Sequence, residues 1–458
     1  MNSKIMIAAG VAVALSMGSC NIYKKYETPQ SSALTKEYAE AKATEVDSMA
    51  FGNLGWEEVF TDPVLAGLIR QALDNNVNLR NAQLNVEIAN AQLRGARLSY
   101  LPSLVFAPNG AGVSYQKSAL SWTYQLPLQL SWEIDIFGKL LNTKRSAQAA
   151  VLQSKAYAQA VRSQIICGVA NTYYAMSSLE AQLDLMTTTS KLWHETVDVM
   201  ADLKEAGRLT EAAVVQSRAN YYSIMASITD IRTSLDELNN TMSLLLNVAP
   251  RTWEIPSTVT LEAPAIVRDG VPMRELAARP DVAAAEQSLA VAYYATNSAR
   301  ASFYPGLNIT AAGGFTNLLG SAVLNPGDWF LQLAGSLTAP LFMRGQNIAR
   351  LQAAKAQQRQ ALNNFEYAIL NAAAEVSDAL TVYENSSEKA GYVDIQVDNL
   401  EKSVEYTTEL LKFNGSTTYL EVLTAQQSLL QAQIQQISTR LSRAQSVISL
   451  YQSLGGGR

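Results

Sequence analysis

The 458-residue sequence predicts a mixed α/β membrane protein, mostly α, in which one large unit occurs twice. Three observations predict it: an internal repeat, two very long stretches of heptad-spaced apolar residues, and short segments in which apolar and polar residues alternate. The stretch Ala96-Arg97-Leu98-Ser99-Tyr100-Leu101-Pro102-Ser103-Leu104 returns 203 residues later as Ala299-Arg300-Ala301-Ser302-Phe303-Tyr304-Pro305-Gly306-Leu307. Ala82 and Ala89 fall on Ala285 and Ala292 at the same offset. Gly138 and Val169 fall on Gly345 and Val376 at 207, and Gly207 and Val214 on Gly415 and Val422 at 208. Solenoid repeats run about 20–50 residues. So long a period marks instead a duplicated domain whose halves pack as pseudo-symmetric equivalents.

Residues 1–19 read as a signal peptide. Lys4 is the lone positive charge of a short n-region, and Ile5 to Leu15 form an apolar core of 11 residues. A bilayer span needs about 20. Met17-Gly18-Ser19-Cys20 follows and resembles a bacterial lipobox, with cleavage before Cys20 and acylation of the new N-terminal cysteine. Met17 is a loose fit where Leu is usual, and a plain secretory signal with an incidental cysteine is the competing reading. With Cys20 lipidated, Cys167 is left as the one free thiol and no intrachain disulfide forms. Its apolar, helical surroundings mark it as a small core residue. The chain is 48% hydrophobic and 16% charged with net charge −5, which gives no electrostatic reason for a nucleic-acid partner.

Each half reads as helix, β-hairpin, very long helix, turn, long helix. The first repeat covers 76–249, with its hairpin at 104–134 and its turn near 207. The second covers 276–452, with its hairpin at 306–341 and its turn near 415. Segments 20–75 and 250–275 and a tail at 453–458 lie outside the repeats.

The first long helix carries Val151, Ala158, Ile165, Thr172, Leu179, Met186, Trp193 and Met200 at seven-residue spacing. Val169, Met176, Leu183 and Val197 form a second stripe. Its counterpart carries Leu362, Ile369, Val376, Tyr383, Ala390, Val397, Val404 and Leu411, and the returning helix keeps the period with Leu423, Leu430, Ile437, Ala444 and Tyr451. Sustained heptads predict coiled-coil-like packing. No proline interrupts Gly138 to Gly207 or Gly345 to Gly415, so each helix extends about 100 Å. Charged and amide residues recur along both, which places them in water. Gly207 and Gly415 end them as C-caps.

The hairpins switch to period two. Trp122, Tyr124, Leu126, Leu128, Leu130, Trp132 and Ile134 alternate with Thr123, Gln125, Pro127, Gln129, Ser131 and Glu133. Leu307, Ile309, Ala311, Gly313 and Phe315 alternate in the same way, as do Trp329, Leu331, Leu333, Gly335, Leu337, Ala339 and Leu341. These strands exceed the 9–11 residues of a tilted transmembrane strand, and Trp122, Tyr124, Trp132 and Trp329 suit an interfacial girdle. Pro127 suggests a kink or an edge. The partner strand from Leu104 to Tyr115 is weaker, broken by Pro108, Gly110 and Gly112. Four strands cannot close a membrane barrel, which takes about eight, and open edges are not tolerated in lipid. The barrel is therefore shared between chains, and the long helices of several copies enclose a conduit.

Arg279-Pro280-Asp281-Val282-Ala283-Ala284-Ala285-Glu286, the segment from Ala299 to Pro305, and Trp132-Glu133-Ile134-Asp135-Ile136-Phe137-Gly138 resemble signatures of outer-membrane efflux lipoproteins of the TolC/OprM type. The likeness covers nearly the whole mature chain. It implies a homotrimer with a twelve-stranded β-barrel in the outer membrane and a periplasmic α-barrel. An equatorial domain would come from about 44–75, 250–275 and the C-terminus. It further implies a periplasmic adaptor and an inner-membrane resistance-nodulation-division pump as partners. The docking tip would be Gly207-Arg208-Leu209-Thr210 and Gly415-Ser416-Thr417-Thr418. Relatives carry acidic residues after the second turn. Here Glu421 takes one such position, Thr424 replaces the other, and Ala213 stands where the first turn would have an acid. With Leu420, Leu423 and Leu430 on the packed face, Glu421 lies about 100° round the helix and can face the lumen as a gate. A solvated helix-start acid is the competing reading.

No catalytic, cofactor or metal motif appears. His194 reads as a surface histidine, and Gly313-Gly314 and Gly455-Gly456-Gly457 as strand and tail glycines. Two other classes stay open at this point: a channel for type I protein secretion, which shares the fold, and a structural coiled-coil lipoprotein, which would lack alternating strands.

Overall fold

The computed structural model describes residues 23–30, 32–42, 51–114, 119–257, 273–316, 328–413 and 418–457. Among the described residues the first α-helices are α1 (Ala33–Lys42), α2 (Trp56–Val59) and α3 (Pro63–Asn75). The first repeat follows as α4 (Val77–Leu98), β1 (Ser103–Phe106), β2 (Asn109–Val113), β3 (Ser121–Ile134), α5 (Lys139–Glu205) and α6 (Glu211–Leu245). After α7 (Met273–Ala277), the second runs α8 (Pro280–Ala301), β4 (Gly306–Thr316), β5 (Asp328–Thr338), α9 (Gln346–Phe413) and α10 (Tyr419–Ser453). Equivalent helices match in length at 22 and 22, 67 and 68, and 35 and 35 residues.

The repeated glycines are explained by their backbone angles. Gly138 and Gly345, which precede the long helices, have φ +70° and +79°, a region costly for any residue with a Cβ. Gly207 has φ +71° and closes α5 as a Schellman cap, with Arg208 N–H donating to the Leu203 carbonyl at 2.9 Å. The C-terminal glycines are corrected from tail residues to a cap and a buried plug. Gly455 (φ 78°) ends α10 as Asn247 (φ 53°) ends α6. Gly456 and Gly457 are buried, and their carbonyls accept from Ser163 Oγ at 2.5 Å and Gln159 Nε2 at 2.7 Å.

Two compact units cut across the repeats. One comprises Met1–Lys36, Leu84–Ala156 and Ala283–Ala368; the other comprises Glu37–Gln83, Tyr157–Val282 and Ile369–Arg458. In the second, Phe60, Leu65, Ile69 and Ala72 pack with Ile166, Val169, Tyr173, Met176, Leu246 and Tyr451 in one core. The Asp62 carboxylate caps α3 by accepting from Val64 and Leu65 N–H groups at 2.8 and 3.0 Å. Cys167 is a core residue, 1% exposed, with its thiol pushed up to about 12 by burial. A second cluster joins Met186, Trp193 and Met200 of α5 to Val214, Ile224 and Ile228 of α6 and to Leu423 and Leu430 of α10. No member of the heptad series is exposed.

The first unit holds an antiparallel sheet in the order β1-β3-β4-β5, with β2 also paired to β3. The first hairpin's weaker strand is split, giving five strand segments where four strands were expected. Phe106 opposes Leu128 and Asn109 opposes Gln125, so the register continues across the gap. The gap faces Pro127, and Pro108 lies within it; neither proline can donate to the ladder. The edge expected at Pro127 is corrected too: β3 is paired on both sides, and Pro127 lies opposite Gly314. A Cβ on Gly314 would collide with the Leu126 carbonyl oxygen, so this glycine is what lets a central strand carry a proline.

Candidate functional site

The register gathers most of the strands' large apolar residues on one face, with Val105, Pro127 and Phe330 falling on the other. Leu126, Leu128, Leu130 and Trp132 lie opposite Phe315, Gly313, Ala311 and Ile309, which in turn face Trp329, Leu331, Leu333 and Gly335. The other face carries Gln129, Ser131, Thr310, Gln332 and Ser336. The apolar face is bare: Trp329, Leu331, Leu333 and Leu337 are 67–76% exposed. Trp122 and Trp329 lie toward the turn end of the hairpins. Trp132 lies at the helix end, donating from Nε1 to the Tyr100 carbonyl at 2.8 Å. Ten residues separate Trp122 from Trp132. That is about 34 Å along a strand and about 26 Å of height at a 40° tilt, close to the apolar band of outer-membrane barrels. Tyr124 is half-buried beside Gly110.

Below the sheet, the two corner motifs meet, with the rings of Phe137 and Tyr304 stacked at 4.9 Å. Tyr23 lies against Gly138 here. Arg145 Nη1 donates to the Tyr23 carbonyl at 3.2 Å, Tyr26 N–H to Tyr294 Oη at 3.0 Å, and Thr28 Oγ1 to Glu286 Oε1 at 2.6 Å. Cys20 lies outside the described residues.

At the tip, Gly207, Arg208, Leu209 and Thr210 form the first turn. Thr210 and Thr418 are the paired N-caps of α6 and α10, at φ −87° and −90°. Leu209 and Tyr419 pack on the same apolar cluster. Gly415, Ser416 and Thr417 lie outside the described residues. Glu211 is ion-paired to Lys204, whose hydrogen bond holds its carboxyl below the usual range. Glu421 is exposed and, among the described residues, accepts from the Thr418 N–H at 3.4 Å. Leu420 is corrected: it is 66% exposed, and Val422 and Leu423 make the packed face at 4% each. Tyr419 Oη reaches Thr196 of α5, so the turn of α10 is rotated to bury Tyr419 instead. Thr424 is exposed, its hydroxyl donating to the Leu420 carbonyl at 2.8 Å. His194 is exposed, 3.2 Å from Asp198.

One polar cluster carried no role in the sequence reading. Arg279, 6% exposed in its side chain, donates to Asp281 at 2.7 and 3.0 Å, to Glu375 Oε2 at 2.5 Å and to the Ser453 carbonyl at 2.6 Å. It latches the starts of α8 and the end of α10 to α9. Burial would push the Asp281 carboxyl up, but the Arg279 bonds prevail and hold it down. The signal was there in Arg279-Pro280-Asp281, a proline at the first helical position flanked by opposite charges.

A mostly helical chain with a small, open-edged, one-face-apolar sheet is a protomer of a membrane channel. Residues 68–248 and 271–456 match the family described as outer membrane efflux protein, and the chain belongs to that family. It is an outer-membrane efflux channel protein of the outer-membrane-factor type. Its sequence is 27% identical over 452 residues to the cation efflux system protein CusC of Escherichia coli, covering 97% of each chain. It is 28% identical over 466 residues to the toluene efflux pump outer membrane protein TtgF of Pseudomonas putida, covering 98% of this chain and 96% of that one. The structure superposes on a crystal structure of CusC with a TM-score of 0.83 at 26% identity, covering 96% of this chain and 100% of that one. Among the described residues no helix is long and apolar enough to cross a membrane. The strands rule out a purely coiled-coil lipoprotein.

Proposed function

We propose that this chain forms a homotrimeric exit duct, three copies closing one twelve-stranded barrel and one helical cylinder. The observation that supports it is the sheet, which among the described residues has four strand positions, edges at β1 and β5 without a further partner, and one largely apolar face. The duct conducts passively, without catalysis, from a periplasmic adaptor docked at residues 207–210 and 415–418 and an inner-membrane pump of the resistance-nodulation-division type. Efflux, not protein secretion, is the reading the family supports. The relatives' names include both cation and toluene efflux, so the duct accepts what its pump delivers. Lipidation of Cys20 fits the placement of Tyr23 against Gly138. Three Glu421 carboxylates around the axis form the aperture ring, repelling one another and attracting cations; the Thr424 hydroxyls add none. Purified protein in a planar bilayer tests the duct. Discrete, cation-favouring conductance steps are expected, and a protein that binds the bilayer without conducting overturns the reading.

A further inference from the structure

The two repeats join one helix end to the next helix start in the same way. Asn76 Nδ2 donates to the Leu245 carbonyl at 2.9 Å, and Arg279 Nη1 donates to the Ser453 carbonyl at 2.6 Å. Asn76 and Arg279 are equivalent at the offset of 203, and Leu245 and Ser453 at 208. The surroundings then part. Asp281, Glu375 and Asp378 stand where the first repeat has Asn78, Gly168 and Asn171, and Ser446 and Gln452 stand for Leu238 and Leu244. An uncharged amide makes the joint in the first repeat, so the joint alone does not call for the charges of the second.

These residues border a groove of about 690 Å³ inside the second compact unit. α10 lines it with Ser442, Gln445, Ser449 and Gln452. That side of α10 is turned away from Ala444, Ile448 and Tyr451, which pack in the core with Leu65 and Ile69 of α3. Glu375 and Asp378 line the groove from α9, one turn apart. Such a volume is that of a small-molecule site, not of a bare ion. Among the described residues no three acidic, His or Cys side chains converge on a metal position.

The lining is richer in acceptors than in donors. Arg279 already gives Nε and Nη2 to Asp281, Nη2 also to Glu375, and Nη1 to Ser453. The hydroxyls of Ser163, Ser442, Ser446 and Ser453 donate to carbonyls at 2.5, 3.0, 2.7 and 3.0 Å. That leaves their lone pairs for a guest, while the glutamine amides serve either way. Three carboxylates line the groove against one guanidinium. Asp378 is exposed and pairs with no side chain among the described residues. The guest that fits brings positive charge and several N–H donors.

We propose that this groove binds organic polyamines on the lumenal side of the duct wall, one per chain. The carboxylates of Asp281, Glu375 and Asp378 hold the ammonium groups, and the serine and glutamine oxygens of α10 take further N–H bonds. The lumenal side is the one turned away from α2 and α3, and that placement rests on the duct reading above. The first repeat's joint, with Asn78, Gly168 and Asn171, offers no such site.

Calorimetric titration of spermine into the detergent-solubilised protein tests it, on a Glu421→Gln background that removes the aperture acid. Saturable binding at one spermine per chain is expected. Asp378→Asn should weaken it about tenfold, the loss of one charge-assisted hydrogen bond. Asp236→Asn, which removes an exposed acid of α6, should leave it unchanged. No saturable binding, or equal weakening by both variants, defeats the site. The same protein in a planar bilayer tests the placement: spermine should lower the single-channel conductance, and Asp378→Asn should relieve that block. Channels that conduct and ignore spermine, although calorimetry shows it bound, put the groove outside the lumen and overturn the placement. A protein that binds spermine but never conducts defeats the duct reading and leaves the site standing.

Discussion

Single side chains hold the scaffold of this molecule, and one is proposed to charge an aperture. Arg279 belongs to the first. Arg279→Met would remove the Arg279 donor from the Ser453 carbonyl and from two carboxylates, leaving Asp281 the Val282 N–H and Glu375 the Asn371 amide. Because Asp281 and Glu375 are about half exposed, the cost should be about 2–3 kcal/mol, not that of a fully buried pair. Asp281 titrates below its ordinary value, so its contribution is complete above the unfolded pKa of about 3.9 and fades as pH falls through the lower folded value. Thermal melting between neutral and acid pH should therefore show a steeper acid loss in the native chain than in Arg279→Met. At the proposed aperture, Glu421 and Glu211 look alike in sequence yet differ in charge balance, since among the described residues Glu211 is paired with Lys204 and Glu421 accepts from the Thr418 N–H. Glu421→Gln should reduce cation selectivity and weaken block by multivalent cations from the periplasmic side, and Glu211→Gln should do neither. Unchanged block in the Glu421 variant would leave it an ordinary helix-start acid.

The elements were legible in the sequence wherever one physical rule governed them. Heptads gave the long helices because their apolar stripes have a single periodicity to satisfy, and the residues of that series are the unexposed ones. Period two gave the sheet faces, since a strand in a one-sided environment must alternate. What stayed hidden depended on partners distant in sequence. Pro127 could not be placed without Gly314, which is 187 residues away. Leu420 could not be placed without knowing that Tyr419 finds Thr196. The cap at Gly455 was masked because three consecutive glycines look like a loose end. The Gly313–Gly314 pair tests this account of β3. Gly313→Ala meets only contacts of 3.5 Å and more and should be tolerated. Gly314→Ala meets backbone and should cost about 1–3 kcal/mol, read as a lower yield of detergent-resistant oligomer.

For the whole molecule, the repeat explains why so few chains can make a closed conduit. Duplication gives each chain two hairpins and two long helix pairs, so three chains supply six of each. Lipid anchoring adds attachment without adding to closure. Mass spectrometry of the mature N-terminus should find acylated Cys20, and Cys20→Ala should impair sorting more than oligomer stability, since two or three acyl chains add little to an inserted barrel. An unmodified N-terminus at another residue would remove the anchor and leave the barrel untouched. The central claim is that one chain cannot close its own barrel. Multi-angle light scattering of the detergent-solubilised protein measures that directly. The account predicts a protein mass about three times the 49.7 kDa chain, and a monodisperse monomer that still conducts would contradict it.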